Sequence, residues 1–149
     1  MKRILVPYAG DDYELSADLI LVTHPHYDHN MVDKVQNRNP GCEIITQDEA
    51  IQNGEHQIFD LGYVTVEAVE AGYNSLHDVS DCVGYILTFS DGKSVYVSGD
   101  TSTTEQMPLL AEKNIDYASF VVMEFITWDL AKLRNVQDWL RQSIIFPTM

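Results

Sequence analysis

Hydrophobic and polar positions alternate between two periods along this chain, which predicts a mixture of strands and helices. Residues 18–23 (Asp-Leu-Ile-Leu-Val-Thr) form a short apolar run that reads as a buried strand. Residues 29–38 place Met31, Val32 and Val35 on one helical face and stop before Asn39-Pro40-Gly41. A short strand over 43–46 and a short helix over 47–52 follow. Val64, Val66 and Ala68 alternate with Thr65, Glu67 and Val69, a strand pattern. Two β-rich runs, 82–90 and 93–98, meet at Asp91-Gly92, and this dipeptide predicts a hairpin with a two-residue type I′ turn. Ser102-Thr103-Thr104-Glu105 fits a capping box, so a helix is expected from there to about residue 113. Residues 118–123 read as a strand. Residues 129–142 read as an amphipathic helix carrying Leu130, Leu133, Val136 and Leu140. A last strand is expected over 144–146, before Pro147. Strands mixed with helices around a central hairpin point to an α/β layered sandwich rather than a purely parallel, doubly wound sheet. No repeat, low-complexity tract or linker breaks the pattern, and 149 residues suit one domain, 1–149.

The chemistry concentrates in Thr23-His24-Pro25-His26-Tyr27-Asp28-His29-Asn30, directly after the first buried strand. Pro25 biases His24 away from the α region, so the chain leaves the strand extended. In an extended backbone, residues two apart point to the same side, so His24 and His26 can converge on one ion. Asp28 and His29 follow where the chain turns, and a second, neighbouring ion is their natural partner. Imidazole and carboxylate donors suit zinc, with manganese or iron as further possibilities. The bland alternative is a polar loop that happens to be rich in histidine. Read alone, His77 is an ordinary loop histidine and Asp100, in Ser98-Gly99-Asp100-Thr101, a turn residue.

The His-X-His-X-Asp-His pattern at a strand end resembles the hallmark of the metallo-β-lactamase superfamily. The wider context is most similar to the branch containing L-ascorbate-6-phosphate lactonase and related zinc hydrolases. The resemblance covers about residues 4–120. It implies a layered αββα sandwich, incomplete at both ends relative to the family. His77, ahead of the hairpin, matches the family's next metal histidine, and Asp100, after it, matches the bridging aspartate. The resemblance therefore implies a two-metal site in which His24, His26 and His77 hold the first ion, Asp28 and His29 the second, and Asp100 bridges them. The ions would lie about 3.5–4 Å apart and share a water or hydroxide as nucleophile. Asp28 or Asp100 would also move a proton. Thr23, Asp78 and Ser98 are candidates to orient the imidazoles from behind. Relatives carry a final metal histidine in a Pro-X-His arrangement, where this chain reads Pro147-Thr148-Met149. The second ion is accordingly expected to bind more weakly than the first, since a thioether is a poor zinc ligand.

Charge narrows the partners. Nine Lys and Arg against 23 Asp and Glu give a formal net charge of −14. That disfavours nucleic acid, which needs clustered cations, and an anionic membrane surface. No cation lies within the three motif segments. The two cysteines, Cys42 and Cys82, make no disulfide framework and read as reduced thiols of a cytoplasmic protein, although a single bridge stays open. The N-terminal apolar stretch is too short for a signal peptide, and the most apolar stretch, 117–128, is interrupted by Glu124 and too short to span a bilayer. His56 reads as a surface histidine in a polar turn, and Trp128 and Trp139 as packing residues. A missing N-terminal strand would leave a sheet edge open, which leads to the expectation of a homo-oligomer. The function expected is a metal-dependent, zinc-type hydrolase of a small ester, lactone or phosphorylated metabolite. The alternative is a metal-binding family member without efficient turnover, used for binding or assembly.

Overall fold

The computed structural model describes residues 2–7 and 14–120. The helix expected over 129–142, the strand over 144–146, the second half of the strand expected over 118–123, both tryptophans and Met149 lie outside the described residues.

Two sheets face each other. The smaller is parallel, with strand order β1 (Ile4–Leu5), β2 (Ala17–Leu21), β3 (Arg38–Ile45). The larger has five strands, in the order β10 (Tyr117–Ser119), β9 (Ser94–Val97), β8 (Val83–Phe89), β7 (Val64–Glu70), β6 (Ile58–Asp60). Its pairs are antiparallel except β9 with β10. Between β3 and β6 come a one-turn helix α1 (Gln47–Ala50) and a small hairpin of β4 (Ile51–Gln52) and β5 (Glu55–His56). A second one-turn helix, α2 (Met107–Leu110), runs into a 3-10 turn over Ala111–Lys113.

Strand alternation explains the layers. Leu19, Leu21 and Ile45 of the small sheet pack against Val64, Val66, Ala68, Val83, Tyr85 and Leu87 of the large one, forming the central core. The opposite face of the large sheet, with Val69, Ile86 and Tyr96, is covered by Met107, Leu110 and Ile115. The outer face of the small sheet buries Ala17 and Ile20 under Val35. The expected layered α/β sandwich is therefore observed, and among the described residues its outer layers are thin, because turns stand where the helices over 29–38 and 102–113 were expected.

The differences have local causes. The helix expected over 29–38 is reduced to a 3-10 turn, Val32–Lys34. Arg38 belongs to β3, and its guanidinium donates to the carbonyls of Val35 (2.8 Å) and Val32 (2.7 Å), which a continuing helix would use itself. β3 starts earlier than expected because the pairing with β2 jumps from Ala17–Arg38 to Leu19–Glu43. Pro40 and Gly41 fall in this irregularity, where a missing N–H does no harm. The capping box at Ser102–Glu105 does not form, since Pro108 would then sit inside the helix and clash with the carbonyl of Thr104. The helix begins at Met107 instead, with Pro108 in its first turn. A capping box forms at Thr46, where the Glu49 carboxylate accepts from the Thr46 backbone N–H (2.7 Å) and from its hydroxyl.

The β8–β9 hairpin forms as expected, but not through a type I′ turn. Gly92 N–H donates to the Phe89 carbonyl (2.9 Å), and Phe89 N–H donates to the Lys93 carbonyl (2.8 Å). Only Gly92 has positive φ there (85°), so the loop is a three-residue turn closed by a left-handed glycine. Both cysteines are free thiols, Cys82 buried and Cys42 half-buried. Burial pushes the Cys82 thiol up to about 12. His56 is half-buried in β5 rather than on the surface, and its Nε2 has no hydrogen-bond partner. Among the described residues, no helix is long and apolar enough to cross a membrane.

One side chain ties the two sheets together at the end of β2. Tyr85, fully buried on β8, donates its phenolic hydroxyl to the Val22 carbonyl at 2.7 Å. Val22 N–H in turn donates to the Ile45 carbonyl of β3. Tyr85→Phe leaves that carbonyl short of a donor in a dry core. We expect a loss of about 1–2 kcal/mol in urea unfolding, with the fold retained; an unchanged midpoint would contradict this role.

Candidate metal centre

The site lies where the carboxyl ends of β2 and β9 meet. Thr23 and His24 follow β2, and Gly99 and Asp100 follow β9. The β2 end is continued into the large sheet by Val83 N–H, which donates to the Thr23 carbonyl (2.8 Å). Gly99 has φ 60°, and a Cβ on it would stand 3.0 Å from Thr23 Cβ and 3.0 Å from the Val83 carbonyl oxygen. Only glycine permits that approach, and the approach sets Asp100 beside the histidine loop. His29 and Asn30 N–H groups both donate to the His26 carbonyl (2.9 Å each), so residues 26–30 form a tight turn that folds His29 back toward His24.

His77 arrives from the loop between β7 and β8. Gly72, at φ 98°, and Tyr73, at φ 63°, reverse the chain there. Asn74 and His77 then form an isolated antiparallel bridge. The Asn74 side chain completes the loop, its Oδ1 lying 2.8 Å from His77 Nδ1. An amide oxygen only accepts, so His77 carries its proton on Nδ1 and turns an unprotonated Nε2 inward. Thr23 Oγ1 lies 2.9 Å from His24 Nδ1 and holds that ring from behind.

The structure brings together all the residues singled out by the motifs. The His24 ring meets those of His26 and His77 edge-on, at centroid distances of 4.8 Å each, and lies tilted against His29 at 4.3 Å. Two groups have donor atoms all within 4.8 Å of one another: His24, His26 and His77, and His24, His29 and Asp100. Asp100 Oδ2 stands between them, 3.5 Å from His29 Nε2 and 3.7 Å from His77 Nε2. Asp28 is more peripheral and one-third exposed, with Oδ2 3.8 Å from His29 Nε2. Of the three outer candidates, Thr23 touches a histidine. Ser98 instead donates to the Gly99 carbonyl (2.8 Å), and Asp78 accepts from the Ser80 backbone and hydroxyl. Asn74 holds His77 in place of Asp78. The signal for it was the spacing: Asn three residues before His in a turn is a side-chain-to-ring contact waiting to form.

The fit to a metal ion is tested by what is left unpaired. His24 Nε2, His77 Nε2 and Asp100 Oδ1 are buried without any hydrogen-bond partner. Leaving three such atoms dry and unmatched is costly, and a cation that accepts lone pairs from all of them removes the cost. The carboxylate-to-imidazole separations above exceed hydrogen-bond lengths but suit two ligands of one ion, whose donors stand about 3.3–3.5 Å apart when bonds are about 2.0–2.1 Å.

Protonation agrees with this arrangement. Burial, reinforced by the neighbouring His29, His77 and His26, pushes His24 down to about 3. Burial also lowers His77, against the pull of the Asp100 carboxylate. Both rings are neutral at neutral pH, the form that ligates metals. Because His24 in the unfolded chain titrates near 6.5, the unfolded state binds the extra proton below that pH. The metal-free protein should therefore lose stability as pH falls from about 6.5 toward 3, by up to about 1.4 kcal/mol per pH unit from His24, with His77 adding in the same direction. Urea unfolding of chelated protein at several pH values, with His24→Gln as reference, measures the slope. A slope equal in the two proteins would contradict a buried neutral His24.

Similarity to known proteins agrees with the geometry. Residues 2–149 match the beta-lactamase superfamily domain. A UPF0173 metal-dependent hydrolase of Bacillus velezensis is 26% identical over 90% of this chain and 68% of its own length. One from Saccharolobus solfataricus is 32% identical, over 84% of this chain and 61% of its own. Among solved structures, a protein from Parabacteroides distasonis assigned to the metal-dependent hydrolases superposes with TM-score 0.70 at 26% identity, covering 95% of this chain and 83% of that one. The metallo hydrolase Igni18 of Ignicoccus hospitalis shares the fold, with TM-score 0.61 at 22% identity over 87% of this chain and 62% of its own. A strand-end histidine cluster on two facing sheets, together with this match along nearly the whole sequence, places the chain in the metallo-β-lactamase superfamily, among relatives described as metal-dependent hydrolases.

Proposed function

We propose that this chain hydrolyses a small ester or lactone using divalent metal held by His24, His26 and His77 at one position and by Asp28, His29 and Asp100 at the other, with zinc the ion that the donor set suits best. The observation that carries the reading is the set of three buried, unpartnered donor atoms, His24 Nε2, His77 Nε2 and Asp100 Oδ1, within one cluster. A divalent ion bound there supplies Lewis acidity and lowers the pKa of a coordinated water toward neutrality. The protein's own groups do the rest. Asn74 and Thr23 fix the ring orientations of His77 and His24, so that both present Nε2 without reorganisation. Asp100 places negative charge between the two imidazole groups, offsetting part of the charge of the ions. Asp28, partly open to solvent beside His29, is placed to take a proton from water and pass it toward a leaving group. The likeness to the lactonase-containing branch rests on the motifs, and it makes lactones the first substrates to try.

The test is elemental analysis of the purified protein, with hydrolysis of an ester and lactone panel measured before and after chelation. We expect bound zinc or a similar ion, a lower Tm and lost hydrolysis after chelation, and recovery on adding zinc. Metal content without hydrolysis anywhere in the panel would favour binding without turnover. Protein that stays metal-free and shows no Tm shift with zinc would overturn the reading. The second prediction concerns Asn74. Asn74→Ala leaves every proposed ligand intact but frees His77, and should weaken metal binding about 10- to 100-fold in a competition titration. Unchanged affinity would show that Asn74 does not orient the site.

A further inference from the structure

Beside the histidine cluster lies an open cavity of about 340 Å³, lined by Tyr73, Asn74, His77, Asp78 and Val79. His77 belongs to both, so whatever fills the cavity adjoins the reacting centre. Its apolar surface comes from Tyr73 and Val79, which are 47% and 37% exposed. Tyr73 is held in the left-handed region at φ 63°, a conformation that glycine or asparagine adopts more easily and that an aromatic residue takes only at a cost. The turn itself needs the backbone geometry and not the ring. Strain of this kind persists where a side chain is put to use.

The charge around the cavity is negative. Asp78 lines it, and the Glu70 and Glu105 carboxyl groups stand close enough to act on Tyr73. Among the described residues no Lys or Arg lines the cavity. Of the six described cations, Lys2, Lys93 and Lys113 are paired with Asp18, Asp116 and Glu67, the Arg3 and Arg38 guanidinium groups contact Ser16 and the Val32 and Val35 carbonyls, and Lys34 lies in the 3-10 turn and does not line the cavity. Among the described residues, no side-chain cation stands at the cavity to meet a phosphorylated or carboxylated substrate; only the metal itself would do so.

We infer that this cavity is the subsite for an uncharged apolar group of the substrate, an aliphatic or aryl group lying on Tyr73 and Val79, and that Tyr73 is its specificity-determining residue. The inference rests on the metal-hydrolase reading and names the substrate class of the same site: neutral esters or lactones carrying an apolar group, in preference to phosphorylated metabolites.

The experiment uses the full chain loaded with zinc and a series of p-nitrophenyl esters: acetate, butyrate, phenylacetate and hemisuccinate. The variants are Tyr73→Asn, which keeps the left-handed turn and removes the ring, and Tyr73→Phe, which keeps the ring. We expect phenylacetate and butyrate to be preferred over hemisuccinate. In Tyr73→Asn the preference for phenylacetate over acetate should fall about tenfold, and the fall should appear in KM. Tyr73→Phe should retain the preference, and zinc content should be equal in all three proteins. An unchanged preference in Tyr73→Asn, an equal loss of kcat on every ester, or a preference for the anionic ester would overturn the inference. If no ester is hydrolysed, the result counts against ester hydrolysis alone, the hydrolase reading is decided by the lactone panel, and the subsite is judged by binding. N-methylphenylacetamide should then give saturation-transfer NMR signals with the wild type that Tyr73→Asn loses. No signal with the wild type, or an equal signal with both, would overturn it.

Discussion

The contact between Gly99 and Thr23 holds the site together. Residue 99 stands at the end of a strand in the large sheet, and residue 23 just past the end of a strand in the small one. Their approach is so close that any side chain at position 99 would collide with Thr23 or with the Val83 carbonyl. Two consequences follow from one missing Cβ. Asp100, next in the chain, is delivered to the rings of His29 and His77, and Thr23 is held where its hydroxyl meets the back of His24. The packing of Leu19, Leu21 and Tyr85 between the sheets fixes the spacing on which that contact depends.

Around this joint the protein collects groups that would not otherwise be buried together. Imidazoles and a carboxylate are packed with several donor atoms unmatched, and burial has driven His24 into its neutral form. A core that cost stability in this way for no return would be a poor solution, since apolar side chains of similar size would fill the space without the desolvation penalty. The outer groups show the same purpose. Asn74 and Thr23 spend their side chains on imidazole Nδ1 atoms, leaving Nε2 of each ring for a cation. The paired left-handed residues Gly72 and Tyr73 turn the chain so that Asn74 can do this.

Much of this could be read from the amino-acid order. The dense histidine motif after a short buried strand marked the site because extended geometry makes His24 and His26 converge. The central strands were legible through alternation, as at Val64, Val66 and Ala68, and the hairpin through Asp91-Gly92. What failed was whatever depended on competition between local and distant partners. The helix over 29–38 had a proper apolar face, but Arg38 was claimed by a strand and the remaining segment was too short to nucleate one. The capping box at Ser102–Glu105 was cancelled by Pro108, six residues on from the cap. The one at Thr46–Glu49 forms and starts the short helix expected over 47–52, which ends at Ala50. Asp78, a candidate to orient an imidazole, is exposed and engaged with Ser80, and Asn74 meets His77 instead. The thin strands β4, β5 and β6 were invisible, since two or three residues carry no period.

The central claim is that the convergent histidines form a metal site and not merely a buried polar cluster. It is tested most directly by anomalous diffraction at the zinc edge from crystals of the protein grown with zinc. The account predicts an anomalous peak about 2.0–2.1 Å from nitrogen atoms of His24, His26 and His77. Full incorporation with no peak among these rings, or zinc found only on exposed carboxylates elsewhere, would contradict it.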